Sequence, residues 1–306
     1  MNKTAWLLCA LAALLSGCHI SQTAEANDKL TGEEYPGKEN YRTGSFTYSA
    51  DEIEAVEVCW RSGRVEIAES DSSKLSVRES GGELPENTAM HYFLDDGVLR
   101  IRFCASGERI QVNAADKHLS LELPKGIRLS VHTTSALVKA DALEQSDILI
   151  ATLSGSTELG AVTAKSIDLS SSSGSIQADS VSAQTLRCSA SSGSADIGAV
   201  SAETFDCSTS SGSVAMDSIV SEAARITTSS GSAELTLAEA SAVGIHSSSG
   251  RVRLTLPEGG AELAYTSNSG RLLTARPYER RGDLYVFGSG ESTLTVETSS
   301  GNLEIQ

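Results

Sequence analysis

Cys9, Cys18, Cys59, Cys104, Cys188 and Cys207, five scattered histidines and a long series of Ser-Gly pairs are the side chains here with the reactivity for covalent or metal chemistry. A zinc centre needs His or Cys at short fixed spacings, and a serine nucleophile needs the Gly-x-Ser-x-Gly elbow. Neither pattern is present, nor is a glycine-rich phosphate loop or the Gly-Gly-x-Gly-x-Asp calcium repeat. His19, His91, His118, His132 and His246 stand apart from one another and suit surface or hydrogen-bonding roles. The Ser-Gly pairs recur at a fixed interval, which points to a structural duty. No catalytic residue, metal or cofactor is therefore expected, and the chain reads as a non-enzyme.

The first thiols belong to export. Lys3, an apolar run from Ala5 to Leu15 and then Ser16, Gly17 and Cys18 form a signal segment too short to span a bilayer as a mature helix. The tetrad Leu15-Ser16-Gly17-Cys18 resembles the lipobox of bacterial lipoproteins, the competing reading being an ordinary signal peptide cleaved elsewhere. The resemblance implies removal of residues 1–17, which takes Cys9 away, and a mature chain held to the membrane by palmitate-type acyl chains on Cys18. Two or three such chains anchor stably where one does not. His19 stands where enteric bacteria place the Asp that retains lipoproteins in the inner membrane, so the outer membrane is favoured, with the periplasmic or surface face left open.

Residues 18–44 are polar, carry Pro36 and several glycines, and suit a flexible tether. The 40 acidic residues outnumber the 24 basic ones for a net charge of −16, which excludes a nucleic-acid-binding face and leaves lipid, not charge, as the membrane contact. Aromatic residues make up 5% of the chain while Ser, Ala and Gly abound, so the core must be thin and repetitive.

The repeat supplies such a core. Gly155, Gly174, Gly193, Gly212, Gly231 and Gly250 follow one another at intervals of nineteen, most within Ser-Ser-Gly; Ala136 marks a degenerate earlier copy, and Gly270 and then Gly301 continue the series after insertions. A period near twenty signals a solenoid. Five residues before each corner stand Val131, Ile150, Leu169, Cys188, Cys207, Ile226 and Ile245, and seven before stand Leu129, Ile148, Ile167, Leu186, Phe205, Ala224 and Val243. The column between them reads Leu149, Asp168, Arg187, Asp206, Arg225 and Gly244, so apolar and polar residues alternate as in a strand with one buried face. A second strand follows the glycine (Ile176 and Ala178, Val214 and Met216, Val252 and Leu254), and a weaker third carries Val162 and Ala164. Such coils must stack at about 4.8 Å to bury their inner faces. The expected fold is an all-β, right-handed parallel β-solenoid. At every corner glycine serves either by positive φ or by tight packing, and Asp168, Arg187, Asp206 and Arg225 are expected to form a ladder of surface ion pairs.

Residues 45–128 differ in texture and are expected to form an N-terminal β cap with a first rung (Val56, Val58, Val65, Ile67), a hairpin turning at Asp96-Gly97 and a strand pair around Pro124-Lys125-Gly126. Residues 129–306 form the solenoid, with a hairpin insertion at about 275–291 partly capping its far end. Cys59 and Cys104 share the cap and can cross-link it. Cys188 and Cys207 share an inward column one coil apart, as a disulfide or as a reduced ladder. Arg251, Arg253, Arg271, Arg276, Arg280 and Arg281 form the one basic patch; Arg251 and Arg271, each following a corner glycine, are expected in adjacent coils.

The repeated SSGSI, SSGSV and SSGRV, the closing FGSGESTLTVETSSGNLEI and the lipobox resemble the bacterial β-strand-repeat family labelled "putative adhesin", related to head-domain proteins of the GIN type. The resemblance spans about residues 50–306. It implies a right-handed envelope solenoid without an established enzymatic activity. The function read from the sequence is a lipid-anchored, monomeric binding or scaffolding module whose partner is an envelope protein or a glycan, touched through the arginine patch. An envelope-stress or assembly factor working through a protein partner is the alternative, and a polysaccharide-active enzyme a weaker one.

Overall fold

The computed structural model describes residues 34–82, 84–108 and 117–306. Twenty-three strands form one continuous sheet wrapped into coils. The N-terminal block contributes β1 (Arg42–Thr43), β2 (Phe46–Ser49), β3 (Ala55–Trp60), β4 (Arg64–Glu69), β5 (Lys74–Ser80), β6 (His91–Asp95), β7 (Val98–Arg102) and β8 (His118–Leu123). The regular stack follows as β9 (Arg128–Thr133), β10 (Leu137–Glu144), β11 (Asp147–Thr152), β12 (Thr157–Ser171), β13 (Ile176–Ala190), β14 (Ala195–Thr209), β15 (Val214–Thr228) and β16 (Ala233–Ser247). The C-terminal end holds β17 (Val252–Thr255), β18 (Gly260–Ser267), β19 (Leu272–Thr274), β20 (Glu279–Arg281), β21 (Leu284–Gly288), β22 (Ser292–Thr298) and β23 (Leu303–Ile305).

Each fifteen-residue strand of the regular stack bends twice, giving a three-sided coil. In β12 the buried positions are Thr157 and Leu159 on one side, Val162 and Ala164 on the next, and Ile167, Leu169 and Ser171 on the third. Neighbouring coils pair in parallel with a nineteen-residue offset: Leu169 faces Cys188, Cys188 faces Cys207, Cys207 faces Ile226 and Ile226 faces Ile245. Every residue of that column is at most 2% exposed. A period-two pattern repeated in register thus buries one continuous apolar seam, as the alternation requires.

The Ser-Ser-Gly corner works through close approach. None of its glycines from Gly155 onward has a positive φ. A Cβ on Gly174, Gly212 or Gly231 would instead overlap the carbonyl oxygen of the glycine one coil below. Main-chain bonds join the serines from coil to coil, Ser192 N–H to Ser172 O at 2.8 Å and Ser211 N–H to Ser191 O at 2.9 Å. Three residues before the corner, buried hydroxyls close it from inside: Thr209 Oγ1 donates to Gly212 O at 2.9 Å, and Ser247 Oγ to Gly250 O at 3.1 Å.

Chain order and stacking order part company at both ends. β3 and β4, with Val56, Val58, Val65 and Ile67 at most 3% exposed, lie directly against β9 and β10, while the later strands β7 and β8 sit outside them. The hairpin at Asp96-Gly97 forms, with φ of 47° and 73°. The strands either side of Pro124-Lys125-Gly126 do not pair with each other; β8 lies between β4 and β5, and β9 between β3 and β11. At the far end β22 and β23 slot between the coil of β16 and β17 and the coil of β18 and β19. The corner series therefore runs Gly250, Gly301, Gly270, with Gly301 packed on Gly250 and Gly270 on Gly301. That exchange separates Arg251 from Arg271, which were expected in adjacent coils: Asn302 lies between them and its Oδ1 accepts from Arg271 N–H at 3.0 Å.

The chain is packed earlier than residue 45. Tyr35 is 6% exposed, its hydroxyl donates to Cys104 O at 3.0 Å, and β1 pairs with β6. Composition pointed to a tether as far as residue 44, but the two aromatic rings of Tyr35 and Tyr41, 4.6 Å apart, give this arm apolar surface to bury.

Candidate functional site

Cys18, with the signal segment, lies outside the described residues. Cys188 and Cys207 sit opposite each other as thiols, 1% and 0% exposed. The hydrogen bond with Cys188, then burial, pushes the Cys207 thiol well above its ordinary value. Cys59 lies in β3 and Cys104 two residues after β7, the strand that pairs with β3. Cys59 points to the outer face of β3, where Arg102 Nη1 lies 2.6 Å from its sulfur, while Cys104 is buried beside Phe103.

That outer face holds a polar cluster invisible to sequence reasoning. All six residues of β3 are buried, including Glu57, which pairs with Arg102 at 2.7 Å, both side chains 4% exposed. Glu57 occupied an outward slot in the alternation, and only tertiary packing of Tyr41 and its neighbours excludes water from it. A second buried pair joins Lys117 to Glu79 at 2.7 Å, with the Lys117 ammonium 4.1 Å from the Phe103 ring centre. In each pair the opposite charges lie 2.7 Å apart, and breaking such a pair costs far more than the pair contributes.

His132, opposite Cys59 on β9, is part of the same face; its Nε2 lies 3.0 Å from Ser130 Oγ. Burial lowers its pKa below the ordinary 6.5, against an opposing pull from Glu57, so at pH 7 the folded chain holds it neutral. As pH falls below 6.5 the unfolded chain takes up this proton more readily than the folded chain, so stability present above that pH is lost as pH falls through the lowered folded pKa. Melts between pH 7 and pH 5 should show this loss, at most about 1.4 kcal/mol per pH unit, and His132→Gln should flatten the slope.

The column of Asp168, Arg187, Asp206 and Arg225 is in register from coil to coil, yet no two of its members come within ion-pairing distance. The ladder expected from alternating charge is thus absent, because long exposed side chains gain little by being held together. Burial lifts the Asp168 carboxyl above its ordinary value, and Arg187 pulls it back.

The arginines gather at the C-terminal end in differing states. Arg253 is neutralised between Glu234 at 3.1 Å and Glu304 at 3.6 Å, and Arg281 lies near Glu262 and Glu279 at 3.8 and 3.4 Å. Arg276 donates to Gln306 O at 3.1 Å, and Arg280 stacks 4.3 Å from the centre of the Tyr285 ring. Arg251, Arg271 and Arg280 have no Asp or Glu carboxylate within 4 Å among the described residues. Elsewhere the coil surface is acidic. One groove of about 990 Å³ is lined by Glu203, Glu222, Glu239, Glu258 and Glu291 around the exposed Val220, and another of about 610 Å³ by Asp141, Asp179 and Asp217. The spacings of 19 between Glu203 and Glu222, and of 38 along the aspartates, are the signals from which these columns are legible.

Three-sided coils stacked in parallel through an invariant corner define a β-solenoid. The chain belongs to the Toastrack DUF4097 family, whose pattern matches residues 53–306. The family resemblance drawn from the Ser-Ser-Gly corners accordingly stands. The fold is similar to that of a protein from Parabacteroides merdae described as a "putative adhesin", at 14% identity and a TM-score of 0.52 over 90% of this chain and 100% of that one. It is also similar to two Parabacteroides distasonis proteins. One, described as a "putative adhesin", has 15% identity and a TM-score of 0.51 over 86% of this chain and 97% of that one. The other, described as a "putative lipid binding protein", has 17% identity and a TM-score of 0.52 over 90% and 99%. At such identities the likeness is one of fold. Among curated proteins none matches the chain. No helix among the described residues is long and apolar enough to cross a membrane.

Proposed function

We propose that this protein is a lipid-anchored module of the cell envelope, most simply of the outer membrane, that binds or scaffolds and does not catalyse, and that it meets its partner through the arginine-bearing end. The observation carrying this reading is the placement of the two ends. The N-terminal arm packs where β1, β6 and β7 close the stack, and the arginines lie toward the opposite end, Arg251 and Arg253 in the coil of β16 and β17, Arg271 directly before β19, and Arg276, Arg280 and Arg281 after it. Eleven parallel strands run between the two ends along one side (β7, β3, β9, β11 to β16, β22 and β18), so ten steps of about 4.8 Å put β18 about 48 Å from β7, on whose side the N-terminal arm packs. A rigid spacer with a cationic tip suits presentation to an envelope protein or glycan. The adhesin descriptions of two structural neighbours agree with that use.

Cys18→Ala should abolish acylation and shift the protein from the membrane fraction to the soluble one; equal incorporation of labelled palmitate by the variant would overturn the anchor. Turnover of a pectin-like or peptidoglycan substrate by the purified protein would overturn the non-enzymatic reading.

A further inference from the structure

The two ends of the solenoid are closed differently. At the N-terminal end both exposed strands are covered by antiparallel partners: β6 and then β1 lie on β7, and β5 and then β2 lie on β8. At the C-terminal end only one side is covered, where β21 lies antiparallel to β18 and β20 antiparallel to β21. On the next side the stack finishes at β19, which pairs with β23 and with no other strand among the described residues.

β19 therefore keeps an open edge. Arg271 O accepts from Leu303 N–H at 3.0 Å, so the backbone groups of Arg271 and Leu273 turn toward β23. The alternation of a strand turns the N–H and C=O of Leu272 and Thr274 the other way, to solvent. Such an edge is a template for another strand, and proteins ordinarily blunt it. Here it carries apolar surface of its own: Leu273, 46% exposed, is one of the three large hydrophobic residues exposed among the described residues. The half-buried Leu272 is all that closes the apolar seam on that side.

The charge around this edge selects the occupant. Arg271 stands directly before β19 with no Asp or Glu carboxylate within 4 Å, and Arg276 and Arg280 follow the strand, the one donating to Gln306 O and the other stacked on Tyr285, whereas a second copy would bring the same arginines against themselves. We infer that β19 takes an added strand from a partner, and that this strand is an extended acidic peptide segment with alternating apolar residues. Main-chain bonds to Leu272 and Thr274 supply affinity, while Leu273 and the arginines select side chains. The inference rests on the reading of the arginine end as the binding end, and names its partner class.

The test uses the purified full chain in detergent and fluorescent peptides of alternating Glu and Val, the same peptide with alternate amides N-methylated, and alternating Lys and Val. A sulfated oligosaccharide forms a fourth arm. The Glu-Val peptide should bind at least about tenfold more tightly than the Lys-Val peptide, and N-methylation should remove most of that affinity because it blocks one edge of the added strand. Amide exchange at Leu272 and Thr274 should slow in the complex. Thr274→Pro should abolish binding by removing one edge donor, and the exposed double variant Arg271→Glu, Arg280→Glu should do so while leaving the melt unchanged. Equal binding of the N-methylated peptide would overturn strand addition while leaving a cationic binding end in place. Binding of the oligosaccharide alone would overturn the peptide while keeping that end, and no arginine-dependent binding in any arm would overturn both.

Discussion

Replacing Ile226 by Asp should unfold or severely destabilise the solenoid. Ile226 is 0% exposed and sits between Cys207 and Ile245 in a column made of apolar side chains and thiols, so an added carboxylate would meet no cation and no water. Burying an unpaired charge costs about 3–5 kcal/mol even after local relaxation, much of the stability of an ordinary domain. Arg225, one residue earlier on the same strand, faces water and makes no ion pair with Asp206, its neighbour in register. Arg225→Ala should cost less than about 1 kcal/mol. Thermal or denaturant melts of the two variants provide the check. A wild-type-like Ile226→Asp beside a damaged Arg225→Ala would mean that the strand presents the opposite face.

Gly231→Ala should be comparably damaging, although it adds a single methyl group. The new Cβ would overlap Gly212 O and lie within van der Waals distance of Gly212 C, main-chain atoms fixed by the pairing of two coils. Overpacking a core typically costs 1–3 kcal/mol when side chains can move aside. Here the obstacle is backbone repeated through the stack, so about 3 kcal/mol or more is expected, with a lower melting temperature and no change in the anchor. Gly244→Ala is the control. Gly244 lies in the outward column opposite Arg225, has nothing within 4 Å of the added Cβ and has no positive φ. That change should be neutral or should stabilise by about 0.4–1 kcal/mol through the unfolded state. Equal melts for the two alanine variants would show that the corner does not depend on close approach.

The regular coils were legible in the sequence for a physical reason: stacked coils place identical positions on top of one another, so tertiary contacts reappear as a nineteen-residue period. Leu169, Cys188, Cys207, Ile226 and Ile245 could be assigned inward, and Val162 and Ala164 to a third side, from that period alone. Glycine at the corner was legible as well, though its cause was not, because a sequence does not distinguish positive φ from a carbonyl pressing on Cα. Where the period breaks, sequence order ceased to report spatial order. Nothing in the spacing of Gly250, Gly270 and Gly301 tells that the last segment threads back between two earlier ones, which puts Asn302 between Arg251 and Arg271. The buried Glu57–Arg102 and Glu79–Lys117 pairs were hidden for a related reason. Alternation assigns a residue to a face, but whether another segment covers that face depends on long-range packing. Only the folded chain decided which end is closed on both sides and which keeps the open edge of β19.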